Sequence, residues 1–223
     1  MIELVKVEGR ILGNIKAHDI LGEIVDNQTL LVLSGGTSPD YDKIIVQPGD
    51  ILPGAVCIED ERYGQPYHQE SNELRIKNFG INDFLSVKGI EYHRILIGED
   101  PSKTAQEFNK KVVDLFGRFK KKVGIMGVGA DLHTSAIFPN SPAVTSSDYA
   151  VSQTISDRYP NRITLTIKAL EQFTSFVILM FGSEKREALE KIMDKRENDI
   201  NKFPAIFYRT SLIRSYLITD IEL

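Results

Sequence analysis

Ser102 to His133, SKTAQEFNKKVVDLFGRFKKKVGIMGVGADLH, is the stretch that decides the fold. Its first part repeats Ala105, Phe108, Val112, Leu115 and Phe119 at spacings of three and four, which makes one apolar face of a helix over 102–119. VGIMG, residues 123–127, then forms a short and nearly continuous apolar run, the pattern of a strand covered on both faces. A helix that feeds such a strand, with glycines directly after it, is half of a crossover unit, and crossover units build parallel sheets.

The same reading extends outward. TLLVL at 29–33, AVCI at 55–58, RILI at 94–97 and FVILMF at 176–181 are further buried-strand runs, and RITLTI from Arg162 and SYLIT from Ser215 are shorter candidates. GSEKREALEKIM signals a second helix, with Ser183 placed to cap it and Ala188, Leu189, Ile192 and Met193 on its apolar face. No internal repeat or linker divides the chain. The expected fold is therefore α/β: an open, mostly parallel, Rossmann-like sheet flanked by helices, in one domain over residues 1–223.

Composition limits the function. With 42 % hydrophobic and 26 % charged residues in 223, the chain is an ordinary globular one. Its net charge of -4 argues against nucleic acid as a partner, so any anion site has to be local. No apolar run is long enough to span a bilayer and no basic, apolar leader opens the sequence, so the expectation is a cytoplasmic protein with no membrane partner. Cys57 is the only cysteine, and its setting in AVCIED reads as core. Four scattered histidines without i, i+4 pairing give no metal-binding pattern.

In an open parallel sheet ligands gather beyond the carboxyl ends of the strands. The first run ends in SGGTSP: Gly35 and Gly36 let backbone amides approach a ligand, and Ser34, Thr37 and Ser38 add hydroxyls, which suits a phosphate or an ordinary tight turn. The next ends in Asp60, Glu61 and Arg62, where the arginine either forks onto an anion or pairs with a surface acid. The third is GVGADLH, where His133 is suited to take a proton near neutral pH and Asp131 to fix its tautomer; a structural histidine is the alternative. Arg162, opening a strand, and Lys185, in the first turn of a helix, are two further cations.

Taken together and in order, these loops resemble the 6-phosphogluconolactonase family, related to glucosamine-6-phosphate deaminases. SGGTSP is similar to the family's Ser-Gly-Gly-X-Thr-Pro, and DERYGQPYHQESN, Asp60 to Asn72, to its Asp-Glu-Arg followed by Ser-Asn. GVGADLHTSAIFP is similar to Gly-X-Gly-X-Asp-Gly-His-Thr-Ala-Ser-Leu-Phe-Pro; RITLT and the Gly182–Lys185 helix start complete the set. The resemblance implies hydrolysis of 6-phospho-D-glucono-1,5-lactone to 6-phosphogluconate, in the oxidative pentose phosphate pathway, without a cofactor. It implies His133 as general base supported by Asp131. It also implies phosphate and sugar binding by Ser34, Gly35, Gly36, Thr37, Ser38, Asp60, Arg62 and Arg162, with Lys185 as a helper. The partner implied is a small phosphorylated sugar lactone, bound by a monomer or homodimer.

Three departures stand out. Leu132 occupies a glycine position, which either bars a positive φ or fills room meant for substrate, and TSA replaces Thr-Ala-Ser after His133. The N-terminal region is shorter than the family's, and DYDKIIVQPGDILPG leaves little space for the helix expected after Ser-Gly-Gly. Two other readings compete. A sugar-phosphate isomerase or deaminase typically has a tyrosine where Arg62 stands and a glutamate just before the proline matched by Pro139, where this chain has Ile137 and Phe138. A non-catalytic sugar-phosphate binding protein would keep the cradle and lose turnover.

Overall fold

In the computed structural model, which describes residues 1–46, 51–156 and 158–223, Asp100 caps the helix by accepting a hydrogen bond from the Lys103 amide at 3.0 Å. Pro101 occupies its first turn, where a missing N–H costs nothing, and the apolar face buries Ala105, Phe108, Val112 and Leu115 as the spacing predicts. In chain order the elements begin with β1 (Ile2–Lys6), α1 (Arg10–Ile24), β2 (Thr29–Leu33), α2 (Tyr41–Ile44), β3 (Ala55–Ile58), β4 (Asp60–Arg62), α3 (Asn72–Asn78) and α4 (Ile81–Lys88). There follow β5 (Glu91–His93), α5 (Pro101–Arg118), β6 (Lys121–Gly127), α6 (Pro142–Thr145), β7 (Ala150–Thr154), β8 (Asn161–Leu165) and α7 (Ile167–Leu170). The last are β9 (Ser175–Met180), α8 (Arg186–Met193), α9 (Phe207–Thr210) and β10 (Arg214–Thr219).

Seven strands form an open sheet in the order β1-β10-β9-β6-β2-β3-β5, with every neighbouring pair parallel. All residues of β2 and β3 are buried, as continuous apolar runs require when helices cover both faces. From β2 the chain moves outward to β3 and β5, then returns through α5 to β6 on the other side of β2. The strand order thus reverses between β2 and β6, which lie in register with Leu33 opposite Ile125. A crevice opens at such a switch point, and the SGGTSP and GVGADLH loops both leave the sheet there.

A second, antiparallel sheet, β4-β8-β7, stands beside the crevice. RITLTI belongs to it as β8, so this run does not extend the parallel sheet. RILI also departs from expectation: β5 ends at His93, and Arg94–Ile97 is irregular. The buried carboxylate of Glu73 explains this, because its Oε1 accepts the Ile95 and Leu96 amides at 2.9 and 2.8 Å and withdraws them from the ladder. Ser183 does not cap a helix. It begins a 3₁₀ turn, Ser183–Lys185, that precedes α8 and follows Gly182 at φ 97°. After Ser-Gly-Gly the chain forms the four-residue α2; residues 47–50 of the segment read as too short for a helix lie outside the described residues.

Candidate active site

At the switch point lies a cleft of about 590 Å³ that brings together the three loops and both late cations. Ser34, Gly36, Thr37 and Ser38 line it from the loop after β2. Gly35 does not, and its role is spatial: a Cβ there would stand 2.0 Å from the Asn72 side chain, so only glycine lets the loop pack against α3. The Tyr41 hydroxyl donates to the Ser34 carbonyl at 2.7 Å. Arg10 and Asn14 of α1 donate to the Ser38 carbonyl, so helices on either side of the loop fix its path.

Asp60 and Arg62 line the same cleft, and the Arg62 guanidinium also donates to the Glu70 carbonyl at 2.9 Å. Arg62 stands directly opposite Arg162 in the β4–β8 register, and both side chains face the cleft. Like charges placed opposite each other on one sheet face destabilise it unless an anion sits between or beside them. Asp60, buried and hydrogen-bonded by Asn72, supplies part of that compensation; burial raises its pKa against the lowering charges of Arg62, Arg162 and His133. Lys185 joins from the far side. Burial depresses its pKa, Arg10 adds repulsion, and Glu184 and Asp220 only partly offset both. The cleft therefore concentrates cations within a chain whose net charge is -4. Glu61 turns away from the cleft and organises the backbone instead. Its carboxyl accepts the Asn72 and Glu73 amides at 2.8 Å each, at the start of α3; burial pushes it up to about 8 against these lowering bonds.

His133 and Asp131 complete the wall. Asp131 Oδ1 lies 2.5 Å from His133 Nδ1, so a Nδ1–H donated to the carboxylate leaves the Nε2 lone pair available. Burial raises the Asp131 pKa, but the hydrogen bond and charge of His133 outweigh it and hold the carboxyl below its usual range. The Phe138 ring stacks on the imidazole at 4.5 Å between centroids and 24° between planes, which fixes its orientation. Gly129 makes room for the pair, since a Cβ there would meet His133 Nδ1 at 2.3 Å and Asp131 Oδ1 at 2.6 Å. Below, the Thr134 hydroxyl donates to the Gly127 carbonyl at 3.0 Å and lies 2.5 Å from the Tyr208 hydroxyl, tying the loop back to β6 and to α9. Among the described residues no group of three or more His, Cys, Asp or Glu is placed to hold a metal ion.

Residues 18–213 match the family described as Glucosamine-6-phosphate isomerases/6-phosphogluconolactonase. The chain belongs to this family. Among curated family members it is 30 % identical to a 6-phosphogluconolactonase from Synechocystis, over 81 % of this chain and 77 % of the relative. It is 28 % identical to another from Nostoc, over 79 % and 76 %. The fold is shared with a 6-phosphogluconolactonase structure from Plasmodium vivax, with a TM-score of 0.80 over 100 % of this chain and 90 % of the other at 17 % identity.

Set in this family, the departures acquire physical accounts. Leu132 neither bars the positive φ nor occupies the substrate's room: it adopts φ 69°, and its side chain, 5 % exposed, packs into the apolar core. Its carbonyl accepts the Ala205 amide at 2.9 Å, anchoring the catalytic-loop candidate to the segment before α9. Sequence reasoning also passed over several cleft residues. Asn72 lies inside the Ser-Asn pair, and Ser135 and Phe138 lie inside the GVGADLHTSAIFP match without a role assigned to them, whereas Glu59 carries no motif signal. An acid directly after a buried strand, as Glu59 is, was the one available clue.

Proposed function

We propose that this protein hydrolyses 6-phospho-D-glucono-1,5-lactone to 6-phosphogluconate, the oxidative pentose phosphate step for which its relatives are named. The single observation that supports this most is the His133–Asp131 pair facing the cation-rich side of one cleft. His133 Nε2 takes a proton from water as the water oxygen attacks the lactone carbonyl. Asp131 holds the tautomer and steadies the imidazolium that forms. The tetrahedral oxyanion is met by amides or a cation of the cleft; its collapse breaks the bond from the carbonyl carbon to the ring oxygen. That oxygen recovers the proton from His133 and leaves as the hydroxyl of the opened sugar acid.

Arg62 and Arg162 take the phosphate, with the Ser34–Ser38 loop and Asp60 orienting the sugar and Lys185 adding charge. A phosphate held away from the carbonyl lowers the barrier by fixing the reacting centre. At the position where the isomerase branch has its glutamate, this chain offers the Phe138 ring stacked on His133, so proton shuttling at carbon two lacks its carboxylate there. The chain then acts as one lactonase-like α/β domain, a monomer or homodimer in the cytoplasm, without a cofactor. No described helix is long and apolar enough to cross a membrane.

The test is proton release from freshly generated lactone. Acceleration over spontaneous hydrolysis is the expected result. No acceleration, together with measurable binding of 6-phosphogluconate, would instead assign a binding protein.

A further inference from the structure

Glu59 is a cleft residue that the reaction above does not use. It follows β3, it is 1 % exposed, and it sits where the loop after β2 meets the loop carrying His133. Ser135, two residues beyond His133, donates its hydroxyl to Glu59 Oε2 at 2.8 Å, and Ser34 bonds the same carboxyl from the other loop. The Glu59 backbone is fixed as well: its amide donates to the Leu33 carbonyl and its carbonyl accepts the Leu165 amide, at 3.0 and 2.9 Å. One side chain on a rigid strand end therefore holds both loops.

Ser135 gives this contact a further meaning. Its φ is 52°, in the left-handed region, which costs a non-glycine residue about 1 kcal/mol or more and persists only when neighbours over-determine it. The hydroxyl bond to Glu59 is one such constraint, and the serine exists here because TSA replaces the Thr-Ala-Ser order. The altered order thus places a hydroxyl at residue 135, within hydrogen-bond distance of the buried acid.

The groups facing Glu59 favour its uncharged form. Asp60 is its chain neighbour, and the Glu59 charge acts on Tyr41 of α2, Cys57 of β3 and Tyr208 of α9, none of them a cation. The positive charges of Arg62, Arg162 and His133 bear on Asp60. Burial first, then Asp60, push the Glu59 carboxyl up to about 8, against the lowering bonds from Ser34 and Ser135.

We propose that Glu59 is a positioning residue: buried at the end of β3, it joins the Ser34 loop to the His133 loop through Ser34 and Ser135, and so fixes where the imidazole stands over the substrate. Ionisation places a second negative charge beside Asp60 in the buried cleft wall, against burial and with the serine bonds alone to offset it, and so perturbs the position that this joint sets. The inference rests on the lactonase reading for its kinetic consequence, but not for its structural one.

Two measurements separate these. In protein labelled with ¹³C-glutamate, the Glu59 carboxyl resonance is expected to titrate near pH 8, and the ¹⁵N resonances of the His133 ring to shift with the same midpoint; in Glu59→Gln that His133 shift disappears. This readout needs no activity, so it decides the inference even if lactone hydrolysis is absent. A Glu59 carboxyl that titrates below pH 6, or a His133 ring indifferent to it, would overturn the proposal. In lactone hydrolysis, kcat is expected to fall roughly tenfold between pH 7 and 9 in the wild type, the loss of protonated form for one group near 8. Glu59→Gln is expected to lack that fall, and Glu59→Ala to lower kcat at pH 7 with little change in KM. The same alkaline fall in wild type and Glu59→Gln would also overturn it.

Discussion

Replacing Leu132 by alanine and by glycine separates two opposing effects at one position. The leucine side chain is 5 % exposed in the core, and truncating a buried leucine costs about 2–5 kcal/mol from lost transfer free energy and the cavity left behind. Against this, its φ of 69° costs a residue with a Cβ about 1–2 kcal/mol. Leu132→Ala removes the packing and keeps the backbone cost. Leu132→Gly removes both, at an added chain-entropy cost of roughly 0.5–1 kcal/mol. Burial outweighs backbone strain, so both variants are less stable than wild type, with glycine above alanine by about 0.5–1 kcal/mol. This reverses the usual order of these residues inside regular structure. Urea unfolding followed by circular dichroism reads the order directly from the midpoints, provided the m-values agree. Alanine above glycine, or either variant above wild type, would refute the account of this loop.

Other expectations follow from the same geometry. Arg62→Ala is expected to raise KM by roughly ten- to a hundredfold, the worth of about 1.5–3 kcal/mol for a charge-assisted bond, with a weaker effect on kcat; steady-state kinetics at fixed ionic strength checks this. Gly129→Ala drives a Cβ into His133 and Asp131, so kcat falls by about a hundredfold while the protein still folds, a combination that kinetics and a thermal melt together would confirm. Because the Glu59 carboxyl is raised from 4.5 to about 8, the unfolded chain ionises it first: its contribution to stability is full below pH 4.5 and is lost as pH rises through about 8. The difference in urea midpoint between Glu59→Gln and wild type is therefore expected to shift in favour of the variant from pH 5 to pH 8.5.

The strands that carry the site were legible because burial on both faces leaves an uninterrupted apolar run, as in Leu30–Leu33 and Val123–Met126. Misreadings arose where polar side chains redirect the backbone. Ile95 and Leu96 look like strand residues, yet Glu73, more than twenty positions away, takes their amides. Arg162 was readable as a strand-opening cation, but its pairing opposite Arg62 in a separate antiparallel sheet depends on tertiary register. Glycine spacing marked the His133 loop, while the reason for Gly129 lies in the position of two side chains that a sequence does not locate. Glu59 stayed hidden for a similar cause: its partners Ser34 and Ser135 come from loops 25 and 76 positions away.

We propose His133, oriented by Asp131, as the base for lactone hydrolysis in this cleft. Initial rates of proton release from fresh 6-phospho-D-glucono-1,5-lactone, for wild type and His133→Ala side by side, test it most directly, with 6-phosphogluconate binding measured on both. The expected result is acceleration by the wild type, a loss of about 10²–10⁴-fold in the variant, and retained binding. A variant that hydrolyses the lactone as fast as the wild type would contradict it.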